Sequence, residues 1–105
     1  MIELTKDNFQ SEVIEAPEVV MVDWWGPHCG RCAEIMPYVE DLSGKYKDKI
    51  KFCSVDISNN RALAIDQKVL GIPAFLFYKN GKKIDGIAGQ EIELEDIENK
   101  IKQYS

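Results

Sequence analysis

Two cysteines spaced as Cys29-x-x-Cys32 are the groups in this chain best placed to do chemistry. Cys29 follows an apolar run, Val19 to Trp25, and precedes a helical pattern that opens at Gly30. A sulfur at a helix N-terminus faces free N–H donors and partial positive charge, which favour a thiolate over a thiol. Cys32 lies one turn further along the same face, so the two sulfurs can close a disulfide. Cys32 can also attack a mixed disulfide formed when Cys29 engages a partner. The implied chemistry is two-electron exchange between dithiol and disulfide, with Cys29 the more exposed of the two. A structural zinc pair is the alternative, but such a site wants four ligands. Only Cys53 and His28 could complete it, and one is adjacent to Cys29 while the other sits in a strand pattern. Redox work is therefore the favoured reading, and no metal is expected.

Three other side chains stand out from their surroundings. Asp23 interrupts a run apolar on both faces, where a charge is costly unless something requires it. A simply hydrogen-bonded buried acid is the plainer alternative. Cys53 reads as a small buried hydrophobe. His28 is either a solvated side chain or a titrating neighbour of Cys29.

The elements that position these groups follow from periodicity. Thr5 to Glu15 reads as a short amphipathic helix, capped by Thr5 and stopped by Pro17. Val19 to Trp25 reads as a strand buried on both faces. Ile35, Val39, Leu42 and Tyr46 recur at helical spacing, giving a helix of about four to five turns from Gly30. Pro37 lies within it and is expected to kink it. Ile50 to Ile57 reads as a strand, and Asn60 to Leu70 as a helix closed by Gly71. Ala74 to Tyr78, Asn80-Gly81 and Lys82 to Ala88 form a hairpin pattern. The last helix carries Leu94, Ile97, Ile101 and Tyr104 on one face, acidic at its start and basic at its end. A short extra strand is possible at Ile2 to Leu4. The alternation predicts an α/β sandwich around a mixed sheet.

Composition narrows the classes. A chain of 105 residues is expected to form one domain, 1–105, with a core of its own. A net charge of −5, from 18 acidic and 13 basic residues, argues against nucleic acid as the partner. No apolar stretch approaches the roughly 18 residues of a membrane span, so no membrane partner is expected. The start Met1-Ile2-Glu3 lacks a signal-peptide pattern, which makes cytoplasmic residence the expectation. In that compartment three cysteines do not make a disulfide scaffold.

The run Asp23-Trp24-Trp25-Gly26-Pro27-His28-Cys29-Gly30-Arg31-Cys32, with Pro37 beyond it, resembles the active-site segment of the thioredoxin family. Ile72-Pro73 resembles that family's cis-proline loop, and Asn80-Gly81 and Gly89 fall where its hairpin turn and a groove glycine lie. The resemblance runs over nearly the whole chain. It implies the thioredoxin fold, α/β in three layers, with a mixed sheet of about five strands flanked by four helices. It implies Cys29 as nucleophile, Cys32 as resolving thiol, and Asp23 as the carboxylate moving protons to and from Cys32. Gly30 lies between the thiols, and Trp25 would pack beside the disulfide. Pro73, cis, would present the Ile72 backbone to an extended substrate, in a groove that His28 and Gly89 also border.

The departures carry expectations of their own. His28 stands where the family usually has tryptophan, and Arg31 where it has proline. Arg31 is expected to stabilise the Cys29 thiolate and make the couple more oxidising. Ser54 stands where many members carry a lysine near the buried aspartate, so Asp23 should hold its proton more tightly. The expected function is disulfide reduction in target proteins by a monomer whose only redox group is the Cys29–Cys32 pair. No dinucleotide fingerprint is present, so electrons come from a separate reductase; the resemblance implies thioredoxin reductase, and the altered motif leaves room for a dedicated one. The alternatives are a disulfide oxidase or isomerase, a dedicated donor to one enzyme, and, further off, a non-catalytic interaction module.

Overall fold

The structure is a computed structural model that describes residues 1–105. Five strands form one sheet in the order β1-β3-β2-β4-β5. They are β1 (Ile2–Glu3), β2 (Val20–Trp25), β3 (Lys51–Asp56), β4 (Ala74–Lys79) and β5 (Lys82–Ala88). β1 and β2 pair with β3 in parallel, whereas β4 runs antiparallel to both β2 and β5. The helices are α1 (Gly30–Lys45), α2 (Arg61–Asp66) and α3 (Leu94–Gln103), with a π-wound segment over Gln10–Ile14. The expected three-layer α/β architecture is present, its fourth helical segment being π-wound.

Strand alternation divides the core in two. Val20, Val22 and Trp24 face Phe9, Val13 and Ala64, beneath the π-wound segment and α2. Met21 faces the other way, among Ile35 and Val39 of α1 and Ile97 and Ile101 of α3. Each fully buried side chain of this size contributes about 1.5–3 kcal/mol relative to exposure. Side-chain bonds pin the second layer. Lys45 Nζ and the Tyr46 hydroxyl both donate to Glu98 Oε2, at 3.0 and 2.8 Å, tying α1 to α3. Lys100 Nζ and the Tyr104 hydroxyl both donate to Asp85 Oδ2, at 2.8 and 2.6 Å, tying α3 to β5.

Local detail departs from expectation in three places. The first helical segment is not a regular α-helix over Thr5 to Glu15. Thr5 Oγ1 does accept the Asp7 N–H at 3.1 Å, but the helix then widens, and the Glu15 N–H reaches back to the Gln10 carbonyl at 2.9 Å. Pro17 offers no N–H to Val13, whose carbonyl takes the Ala16 N–H instead, at 3.4 Å. α2 is shorter than Asn60 to Leu70, and Gly71 does not cap it. Lys68 does, at φ +60°: its N–H donates to the Ile65 carbonyl at 3.0 Å and the Val69 N–H to the Ala64 carbonyl at 2.9 Å. That is the Schellman pair of bonds, and Val69 packs on the core just beyond it. β3 stops at Asp56, and Ile57 belongs to a 3₁₀ turn, Ile57–Asn59, whose Ser58 N–H is taken by Asp56 Oδ1 at 2.9 Å. The hairpin turns as expected, Asn80 and Gly81 both adopting positive φ, 53° and 77°. α1 continues through Pro37 to Lys45.

Candidate active site

β2 ends at Trp25, β4 begins at Ala74 and β5 ends at Ala88, all at one end of the sheet. The antiparallel registers Trp24↔Ala74 and Ala74↔Ala88 fix this convergence. Three loops separate in sequence therefore meet there: 26–29, 71–73 and 89–92.

Cys29 is the N-cap of α1, with extended backbone, and its Sγ accepts the Cys32 N–H at 3.2 Å. The Cys29 carbonyl accepts the Ala33 N–H at 3.2 Å, which starts the helix. The expected placement of a sulfur on a helix N-terminus is thus realised. Cys29 and Cys32 are joined in a disulfide, their Cα atoms 5.3 Å apart. Cys29 is half-buried and Cys32 buried. Gly30 opens the helix between them, exposed and with nothing within 4 Å of where a Cβ would stand.

Asp23 lies on the α1–α3 face of β2 and is only 2% exposed. Burial pushes its carboxyl up to about 7, with no cation pulling it back. Its register partner on β3 is Ser54, the residue that stands where many members of the family carry a lysine. Trp25, Cys32, Met36 and Ser54 line one recess of about 370 Å³. Cys53, next to Ser54, points to the opposite face among Leu4, Val22 and Val55, and burial pushes its thiol up to about 12. It shares no layer with the disulfide. No cluster of three or more His, Cys, Asp or Glu side chains is placed to hold a metal ion.

The Ile72–Pro73 bond is cis. A groove of about 600 Å³ runs past Cys29, lined by His28, Ile57, Ile65, Ile72 and Gln90 among others. His28 is exposed on its wall, and Ile65 is 77% exposed. Gly89 adopts φ +121°, and its N–H donates to the Pro73 carbonyl at 2.9 Å.

Arg31 takes a course that sequence reasoning missed. Its Nη2 donates to the Ile92 carbonyl at 2.5 Å, and Nη1 lies 3.9 Å from Glu34 Oε1. The side-chain donor on Cys29 Sγ is instead Gln90, whose Nε2 is 3.6 Å away. Nothing in the sequence marked Gln90, since a glutamine in a polar loop reads as solvated.

A family model described as thioredoxin matches residues 1–103. The chain is 38% identical over 104 residues to a thioredoxin of Peptoclostridium acidaminophilum, covering 99% of this chain and 94% of that one. It is 36% identical over 104 residues to a thioredoxin of Acetoanaerobium sticklandii, covering 99% of each. The crystal structure of Malassezia sympodialis thioredoxin superposes with a TM-score of 0.89 at 30% identity, over 97% of this chain and 90% of that one. No helix is long and apolar enough to cross a membrane.

Proposed function

The chain belongs to the thioredoxin family and is a thiol–disulfide oxidoreductase with protein-disulfide reductase activity, and from that premise we propose how its residues divide the work. Cys29, as thiolate, attacks one sulfur of a target disulfide. A mixed disulfide forms and the other target sulfur leaves as a thiolate. Cys32 gives its proton to Asp23 and attacks Cys29 Sγ, which releases the second target sulfur and leaves the Cys29–Cys32 disulfide. Two electrons pass to the target in each cycle. The observation that supports this division is the half-buried Cys29 at the α1 N-terminus, disulfide-bonded to a buried Cys32 on the same sheet face as the buried Asp23.

The remaining roles follow the same proposal. The Ile72 backbone, with cis Pro73, receives an extended target segment in the groove that His28 borders, Gly89 bonding the Pro73 carbonyl beside it, and Trp25 packs behind the disulfide. Arg31 favours the thiolate by its charge. The protein is one domain, a cytoplasmic monomer with no cofactor beyond its own disulfide. Its disulfide must be reduced after every cycle, and thioredoxin reductase is the proposed donor.

Reduction of a protein disulfide by the pre-reduced protein, with no other reductant present, tests the division. Cys29→Ser is expected to abolish reduction, and Cys32→Ser to stop at a mixed disulfide visible by mass. Full reduction by Cys32→Ser would refute the two-thiol cycle. The Arg31 charge favours a second reading, an oxidase or isomerase. A potential near about −270 mV speaks for the reductase and one near about −180 mV for the rival.

A further inference from the structure

Gln90 is exposed, yet its carboxamide nitrogen is committed on two sides. It lies 2.6 Å from the Ile72 carbonyl and 3.6 Å from Cys29 Sγ. A carboxamide nitrogen carries two protons, so it can serve both acceptors at once. The loop that presents it is held at both ends. At one, the Gly89 N–H is bonded to the Pro73 carbonyl at 2.9 Å. At the other, Arg31 Nη2 holds the Ile92 carbonyl at 2.5 Å. Arg31 is drawn in far enough that its Nε is buried without a partner.

We propose that Gln90 is a specificity-determining latch, bridging Cys29 Sγ and the Ile72 carbonyl until a substrate backbone N–H replaces it there. Arg31 is its positioning residue, acting through the 89–92 loop. The proposal rests on the reading that the Ile72 backbone receives the substrate. A disulfide within an extended peptide brings an N–H that can take over the Ile72 carbonyl. A small disulfide without amide groups brings none, and gains nothing from opening the latch. After reduction the Cys29 thiolate is a stronger acceptor than the disulfide sulfur, so the second Gln90 proton stabilises it.

The test compares Gln90→Ala with the unmodified protein on two substrates, a disulfide-bonded peptide and a small aromatic disulfide without amides. KM for the peptide is expected to fall roughly two- to tenfold, the range of one net hydrogen bond, while KM for the small disulfide stays put. The pH profile of Cys29 alkylation in the reduced protein moves to higher pH. Adding Arg31→Gln to Gln90→Ala lowers the peptide KM no further, since Arg31 acts through the latch. Equal KM changes for both substrates, or none, overturn the proposal. A mixed disulfide trapped in Cys32→Ser with an isotope-labelled peptide separates the two ways of failing. A peptide N–H protected from exchange alongside an unchanged KM overturns the latch and leaves docking at Ile72 standing. No protected peptide N–H overturns the docking reading, and the latch with it.

Discussion

Asp23→Asn should stabilise the oxidised protein, and the gain should depend on pH in a defined way. The carboxyl is buried and its pKa is raised from 3.8 to about 7. At about 1.4 kcal/mol per unit, that shift corresponds to roughly 4 kcal/mol of differential protonation energy between folded and unfolded chains. The folded state holds the proton more tightly, so the contribution is harmless below the unfolded value. Stability is then lost as pH rises from about 4 to about 7, and the loss levels off above that. Asp85 acts in the opposite sense, because the Lys100 and Tyr104 hydrogen bonds lower its pKa, and its stabilising pair weakens as the solution is acidified. Glu98 does the same through Lys45 and Tyr46. Both are common to the two proteins, so the difference between them isolates Asp23. The assay is urea unfolding of unmodified and Asp23→Asn protein, disulfide intact, at half-unit steps across this range. The expected difference is small near pH 4 and grows to about 4 kcal/mol by pH 8. A difference flat with pH, or one that shrinks as pH rises, would refute the burial argument. If the proton role is also right, Asp23→Asn slows the attack of Cys32 on the mixed disulfide even as the folded protein gains stability.

Arg31→Pro should make the Cys29–Cys32 couple more reducing, by roughly 30 mV for each ~1.4 kcal/mol of thiolate stabilisation removed. Equilibration against graded redox buffers measures it, and an unchanged potential rejects the charge effect. Gly81→Ala should lower stability by about 1–2 kcal/mol in denaturant titration, the cost of a side chain in the left-handed region. Gly81 sits at φ +77°, and an added Cβ would lie 3.3 Å from the Ile14 carbonyl oxygen. Its stability matching the unmodified protein would contradict the turn assignment. Cys53 should resist alkylation in the native state at pH 8 and react only in denaturant, since its thiol is buried and pushed up to about 12. Rapid native labelling, followed by mass spectrometry, would show that its strand opens.

Much of the fold was legible in the residues because burial leaves a periodic trace. The apolar run of β2, the Ile35–Val39 spacing of α1 and the Asn80-Gly81 turn each state a local preference that the structure keeps. The Cys29–Cys32 spacing likewise carried its chemistry, because one helical turn brings the two sulfurs together whatever surrounds them. Helix ends were less legible. Gly71 offered the better cap by residue type, yet Lys68 ends α2, because the chain leaves the helix where Val69 can reach the core. What only the tertiary structure decided lies across the loops. The antiparallel registers of β2, β4 and β5 bring Gln90 to within hydrogen-bond reach of Cys29 and Ile72, and Ile92 to within reach of Arg31. Gln90 and Arg31 are separated from these hydrogen-bond partners by 18 or more positions in sequence, where no periodicity relates one residue to another. Local pattern fixes which face a side chain takes along its own element, whereas the partner it finds depends on how separate elements register against each other.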